Sequence, residues 1–372
     1  MIKLIDISFY AKNNFDNTAA LLNYLKPAYG YLDHLTNRME VEVVHHAAHE
    51  QVYTHDNIKH TFFKSRNRLW YIPFKSIFYI KKQKANVLLV QGLGFPLQTI
   101  MLRLIVGRNV VIIAQHHAER PFRGIKKILQ QLADRCINAY LFTAGKNAEE
   151  WFDERIITNA AKYNELLELS TYFKPVNKAE ARKKLAMPAA DIFLWVGRLE
   201  KNKDPLTVLR GFEKYAAVNT SAVLYMVYQE DDLLNEVKEI IDNNVQLQQR
   251  VKLAGKMSRD ELLNWFSAAD YYLSGSHREG SGTALVEAMA CGCIPVVTDI
   301  PAFNKITAEG NFGFLYTAGN ADSLFITLCA LSEIDKENLS YNVKRYFENN
   351  LSFKAIATGF YNICCKLTAI EG

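Results

Sequence analysis

Apolar residues along this chain come in short runs bounded by polar or turn residues, and between the runs they recur every three to four positions. Ile2 to Phe9, Met39 to His45, Asn86 to Gln91, Asn109 to Gln115 and Ala139 to Phe142 are β-branched or aromatic runs of strand length. Asn17 to about Lys26 carries Leu21, Leu22 and Leu25 at helical spacing. After Pro175 the rhythm restarts. A helix over Lys178 to Leu185 leads into strands at Ile192 to Val196, Ala222 to Tyr228, Arg250 to Leu253, Tyr271 to Leu273 and Ile294 to Val297. Helices fall between them, one starting at Pro205, one running through Val237 and Ile241, and one opened by the capping box Ser258 to Glu261. Strand alternating with helix predicts an α/β protein whose parallel sheets are covered on both faces.

The chain has 372 residues, more than one core usually organises, so two domains are expected. Their bounds are read as 1–172 and 173–350, with a closing helix in 351–372 that could return to the first domain. With 49% hydrophobic and 22% charged residues, the composition excludes a disordered or membrane-embedded chain. The 44 Lys and Arg exceed the 39 Asp and Glu by only 5, too little to call for nucleic acid. No run of about 18 uncharged apolar residues occurs. The start, with Asp6 inside its apolar run, reads as a strand and not an export signal, so a cytoplasmic location is expected. Six cysteines lack a framework spacing and read as reduced thiols. Cys291 and Cys293 could ligate a metal with His277, but small apolar fillers suit their surroundings better.

The densest chemistry lies in His277 to Thr298. Glu279 and Glu287 flank a Gly-Ser-Gly turn, and a small-residue apolar helix follows. Glycines at a helix mouth let a ligand approach the backbone, and the helix N-terminus offers free N–H groups to phosphate. A second loop, Gly197 to Lys203, follows another strand and brings Arg198 and Lys203, a fork and a point charge suited to a diphosphate. In doubly wound sheets both loops fall at carboxyl ends of strands, where ligands bind.

These residues resemble the retaining, nucleotide-sugar-dependent enzymes of glycosyltransferase family 4. The resemblance rests on Glu279 and Glu287 as the family's E-x7-E, on the Ala-Met-Ala-Cys-Gly-Cys-Ile-Pro-Val-Val that follows, and on Val196-Gly-Arg-Leu with Lys203 downstream. It covers about residues 172 to 330, with Val251 to Gly255 and Ala268 to Asp270 in their expected places. It implies the GT-B fold, two Rossmann-like doubly wound domains facing a central cleft. It further implies that Arg198, Lys203 and the amides of Gly282, Thr283 and Ala284 hold a donor diphosphate. Glu287 would bond the ribose, Glu279 the transferred sugar, and the backbone around Gly255, Lys256 and Met257 the base. His116, or failing that His117, would meet the sugar from the first domain. No metal or other cofactor is implied, and the acceptor would be a glycan, a lipid-linked sugar or a small molecule, as in polysaccharide biosynthesis. The family's glycine-rich loop after the first strand is missing, since Ser8 to Asp16 contains no glycine, so acceptor contacts there are not carried over.

Several other patterns admit two readings. Gln229 to Asp232 is an acidic run after an apolar strand, which fits either a divalent-metal site or a helix start. Gly92-Leu-Gly94 lacks the third glycine of a dinucleotide loop and reads as a turn. His45, His46, His49 and Glu50 lack zinc-site spacing. In Phe63 to Lys84, seven basic residues alternate with apolar ones such as Leu69, Trp70, Ile72, Phe74 and Phe78, and no acid intervenes. That segment fits either an anionic membrane surface or a core-facing helix with a solvated basic edge. Two further functional classes stay open: a catalytically silent GT-B-like subunit of a glycan-assembly complex, and a sugar epimerase acting without acceptor.

Overall fold

The computed structural model describes the chain except residues 16, 65–70, 118, 230 and 370–372. It divides into two compact units, Met1–Ser170 together with the segment from Phe353, and Thr171–Ser352.

Unit 1 runs β1 (Ile2–Lys12), α1 (Thr18–Tyr29), β2 (Met39–Ala47), β3 (Gln51–His55), β4 (Ile58–Lys64), α2 (Phe74–Gln83), β5 (Val87–Gln91), α3 (Pro96–Val106), β6 (Val111–Gln115), α4 (Ile125–Asp134), β7 (Ala139–Phe142), α5 (Lys146–Asp153) and β8 (Tyr163–Glu165). Its eight strands lie in the order β3-β4-β2-β1-β5-β6-β7-β8, parallel except for β3. The β3–β4 hairpin is not evident in the apolar pattern, because all five β3 residues are exposed. Its turn is local chemistry: Asp56 and Asn57 both take positive φ, as a two-residue hairpin turn of the right twist requires. The basic segment from Phe63 is also not one element. Phe63 and Lys64 end β4, α2 begins only at Phe74, and Arg66, Arg68, Leu69 and Trp70 lie outside the described residues.

Unit 2 runs α6 (Lys178–Lys184), β9 (Asp191–Gly197), α7 (Pro205–Val218), β10 (Ala222–Tyr228), α8 (Leu234–Asp242), α9 (Val245–Arg250), β11 (Val251–Gly255), α10 (Arg259–Ala268), β12 (Tyr271–Ser274), α11 (Thr283–Ala290), β13 (Ile294–Thr298), α12 (Pro301–Ile306), β14 (Phe314–Tyr316), α13 (Ala321–Cys329) and α14 (Lys336–Tyr346). The last helix, α15 (Phe353–Thr368), belongs to unit 1, where Phe360 packs edge-on to Tyr31 at 5.9 Å.

The unit 2 sheet is fully parallel in the order β11-β10-β9-β12-β13-β14. Numbered from its own first strand this is 3-2-1-4-5-6, the order of doubly wound nucleotide-binding sheets, whose switch point falls between β9 and β12. Phe193, Trp195, Phe212, Leu224 and Leu273 are buried together in its core, and burial on both faces explains why β9 reads as an unbroken apolar run. Unit 1 follows the same logic, with its switch point between β1 and β5 and a core built on Ile5, Ile7, Leu88, Ile112 and Phe142.

Candidate functional site

Two loops meet at the β9/β12 switch point. The loop after β9 reaches Lys203 and Asp204, and the loop after β12 carries Gly275 to Gly282. They are stitched together by backbone and side chain. The His277 amide donates to the Asn202 carbonyl at 2.9 Å, and Asn202 Nδ2 donates to the Arg278 carbonyl at 3.0 Å. His277 Nε2 lies 2.9 Å from Asp204 Oδ2, and Lys203 pairs with Glu279. Asp204 sits at φ 41 as the cap of α7, its carboxylate accepting from the Thr207 amide at 3.1 Å. The seam needs Gly275, where a Cβ would come 2.8 Å from the Asp204 carbonyl oxygen.

Behind Glu279 a chain of hydroxyls holds the loop to the sheet. Ser276 Oγ donates to Glu279 Oε1 at 2.7 Å, Thr298 donates to the Ser276 carbonyl at 2.5 Å, and Tyr316 donates to the Ser274 carbonyl at 2.9 Å. Glu279 is thus fixed by a lysine and a serine. Arg198, whose side chain is 49% exposed, pairs with Glu200 at 2.8 Å.

Gly282 caps α11 at φ 60 without a side-chain bond, which leaves the amides of the helix's first turn, Thr283 and Ala284 among them, to outside partners. One turn further in, Glu287 is buried beneath this mouth. Arg259 Nη2 meets Glu287 Oε1 at 2.7 Å while the guanidinium stacks 5.3 Å from the Phe173 ring. Burial pushes the Glu287 pKa up to about 7 against the pull of Arg259. A carboxyl near neutrality can accept from hydroxyls or, when protonated, donate. Gly255 ends β11 with Lys256 exposed and Met257 half-buried beyond it. Of the acidic run after β10, Glu230 lies outside the described residues and Asp231 and Asp232 are exposed.

In unit 1, the two adjacent histidines after β6 are very different. His116 is buried, its ring stacked 4.7 Å from Phe142 and edge-on to Trp151, and its Nε2 engages the Glu119 carbonyl at 3.0 Å. Burial lowers its pKa. His117 is half-open and belongs to a relay that starts at the sheet centre. Gln91 Nε2 donates to buried Asp6 at 2.5 Å, Gln91 Oε1 faces His117 Nε2 at 2.7 Å, and Glu168 Oε2 faces His117 Nδ1 at 2.5 Å. Burial opposes a charge on His117, but the bond and charge of Glu168, then Glu119 and Asp6, outweigh it and hold its pKa above the ordinary value. Oxygen atoms face both ring nitrogens, so the protonated ring could donate from each. Asp6, raised to about 7 by burial despite Gln91, His117 and Tyr29, is the other end of this relay. Glu119 also fills the Gly92–Gly94 turn, accepting from the Leu93 amide at 3.0 Å.

The other candidate ligands have separate partners. His45 meets His60, His46 bridges the Ser8 carbonyl and Ser76, His49 meets Thr18, and Glu50 pairs with Lys75. Cys293 is buried with Sγ on the Phe266 carbonyl. Neither Arg259 nor the relay through Asp6, Gln91 and Glu168 is singled out by the sequence. Arg259 follows a helix cap, and nothing in its spacing says that α10 points it at α11. Asp204 had a signal, as an acid directly before Pro205 at a helix start.

Two loops meeting at the switch point of a doubly wound sheet, with a bare helix mouth and a buried carboxyl, form the kind of crevice in which open α/β sheets bind ligands. Residues 177–345, which contain both loops and α11, match the family described as glycosyl transferases group 1. Among curated relatives, a Campylobacter jejuni N-acetylgalactosamine-N,N'-diacetylbacillosaminyl-diphospho-undecaprenol 4-alpha-N-acetylgalactosaminyltransferase is 28% identical over 155 residues, 41% of this chain. The match spans 40% of that relative's length. Solved structures share the fold over the whole chain. Sucrose-phosphate synthase from Thermosynechococcus elongatus aligns with TM-score 0.71 at 17% identity, covering 100% of both chains. Anabaena HepE, solved in complex with UDP-glucose, aligns with TM-score 0.67 at 13% identity, covering 98% of this chain and 100% of that one. The fold is therefore GT-B, with two Rossmann-like α/β units.

Proposed function

We propose that this protein is a retaining glycosyltransferase of family 4 that moves a sugar from a nucleotide-sugar donor to a glycan, lipid-linked or small-molecule acceptor, without a metal. The observation that carries the reading is the Lys203–Glu279 pair at the β9/β12 switch point, beside the bare N-terminus of α11 and above buried Glu287. That set matches a donor with anionic, sugar and ribose parts. Lys203, Arg198 and the amides of Gly282, Thr283 and Ala284 take the diphosphate. Glu279 takes the sugar, Glu287 the ribose hydroxyls, and the backbone of Gly255, Lys256 and Met257 the base. The relative from Campylobacter, named for a lipid-linked acceptor, and HepE, crystallised with UDP-glucose, support this choice of substrates.

Breaking the bond between sugar and diphosphate leaves oxocarbenium character on the sugar and extra negative charge on the departing phosphate. Fixed cations and amides stabilise that charge without reorganising. The departing diphosphate takes the acceptor's proton on the same face, so no protein nucleophile is needed. In unit 1 the family resemblance favours His116 for the sugar, whereas the exposure of His117 favours its neighbour. Peripheral membrane contact through residues 63–84 belongs to the same reading.

Glu279→Ala and Lys203→Ala should each lower turnover of nucleotide sugar by about two to three orders of magnitude while the variants melt as wild type does. Wild-type turnover in both would sink the assignment, and a glycosyl adduct trapped on Glu279 would replace the same-face mechanism with a double displacement. Nucleotide binding without turnover under any acceptor would point instead to a silent subunit.

A further inference from the structure

Helices α2, α3 and α4 lie on one side of the unit 1 sheet. They join β4 to β5, β5 to β6 and β6 to β7, steps in one direction along the sheet, and right-handed crossovers put such helices on the same face. α3 packs against both neighbours. Their inner sides feed the core through Ile77, Ile80, Leu102 and Ala133.

Their outer sides are not the polar surface that a solvated layer would carry. Phe74 and Phe78 of α2 are exposed, with rings stacked 6.2 Å apart, and Leu104 of α3 is 70% exposed. On α4, Ile125, Ile128 and Leu132 are 71%, 54% and 43% exposed. Spacings of three and four put the α4 trio in one stripe. Single exposed apolar residues are ordinary, but a stripe with apolar neighbours on the adjoining helices marks a contact surface.

Charge says what kind. Residues 64–135 hold 14 Lys and Arg against 2 Asp and Glu, leaving 30 against 37 in the rest of the chain. The near-neutral total therefore hides a strongly basic segment that coincides with this helical layer. Its two acids do not face outward: Asp134 is buried against Lys162, and Glu119 is turned onto the amides of Leu93 and His117. Lys81, Lys82, Arg123 and Lys126 are exposed beside the apolar side chains. Positive charge alone would suit nucleic acid and exposed apolar area alone would suit a protein. A surface that is anionic outside and apolar within a few ångström suits both features at once.

We infer that the α2–α3–α4 layer of unit 1 is a docking face for an anionic lipid bilayer, with Ile125, Ile128 and Leu132 of α4 entering the headgroup boundary. This extends the reading of residues 63–84 to a face whose stripe lies 40 residues further on, on α4. It rests on the proposed glycosyl transfer only for its purpose, to bring the site to a lipid-borne acceptor. Its readout needs no turnover, so the two can fail separately.

The test is co-sedimentation of the full-length protein with vesicles of phosphatidylcholine and phosphatidylglycerol at 3:1, and of phosphatidylcholine alone. Each basic group at an anionic surface contributes about 1 kcal/mol, a factor of about five. Wild type should pellet with the anionic vesicles at low salt, stay free with the neutral ones, and be released by high salt. Arg123→Gln with Lys126→Gln should weaken partition by about 25-fold. Ile128→Ser with Leu132→Ser should weaken it at unchanged charge, both variants melting as wild type because the sites are exposed. Wild type left in the supernatant, equal pelleting with neutral vesicles, wild-type partition by both variants, or release by a short DNA duplex would each overturn the inference.

Discussion

Glu287 shows how a residue's role depends on its neighbours. In the sequence it is an acid on an apolar helix, and its burial in the fold raises its pKa from 4.5 to about 7. Between those values the folded state binds more protons than the unfolded chain, so stability from this group falls as pH rises from about 4.5 and levels off above 7. Replacing it removes that slope. Relative to wild type, Glu287→Gln should therefore gain stability progressively between pH 5 and pH 8, by on the order of 3 kcal/mol or less, seen as a rising difference in melting temperature. A difference that is flat over this range in a thermal-melt series would refute the burial argument. Arg259 is part of the same balance, since its charge favours the ionised carboxylate. The histidines give a second case. The family resemblance puts His116 first, but core packing takes His116 inward, and Gln91 and Glu168 hold His117 at the surface.

At the scale of elements, the site is a seam between two loops, and its tolerance is set where the loops come closest. Gly275→Ala would drive a Cβ against the backbone of Asp204 and Lys203, atoms that cannot swing away. It should destabilise unit 2 by about 1 to 3 kcal/mol in urea unfolding and weaken nucleotide binding as well. Unchanged values for both would mean that the seam is loose. Asp270 plays the corresponding part at the other end of the strands. Burial works against its charge, yet Lys178 at 2.7 Å, the Ile192 amide and Arg182 at 2.6 Å hold its pKa below the ordinary range, tying α6 to β9 and β12. Asp270→Ala leaves those cations facing a buried gap and should cost about 3 to 5 kcal/mol, measured by denaturant midpoint, without entering the nucleotide site. Elements buried on both faces, such as β9 and β6, were legible as unbroken apolar runs. The exposed β3 strand was not, because it has no apolar side to display, and neither was α9, a six-residue helix too short for a period to show.

For the whole molecule, summing charge over the chain concealed what its distribution reveals. A surplus of 5 looked unremarkable, yet one stretch of unit 1 is basic and the remainder acidic. No described helix is long and apolar enough to cross a membrane. The sequence by itself determined the α/β class and the two sheets, and it named most residues of the candidate site in unit 2. Periodicity, strand burial and the Glu279 to Glu287 spacing are local properties written along the chain. Only the tertiary structure decided which side chains meet: Lys203 with Glu279, Arg259 with Glu287, Asp6 with His117 through Gln91, and the stripe of α4 with the basic residues of its layer. These pairings join residues between 28 and 111 positions apart or lie across separate helices, where spacing carries no information. Burial also sets their charge, because the cost of ionising a carboxyl depends on the atoms packed around it and not on the residues beside it in sequence.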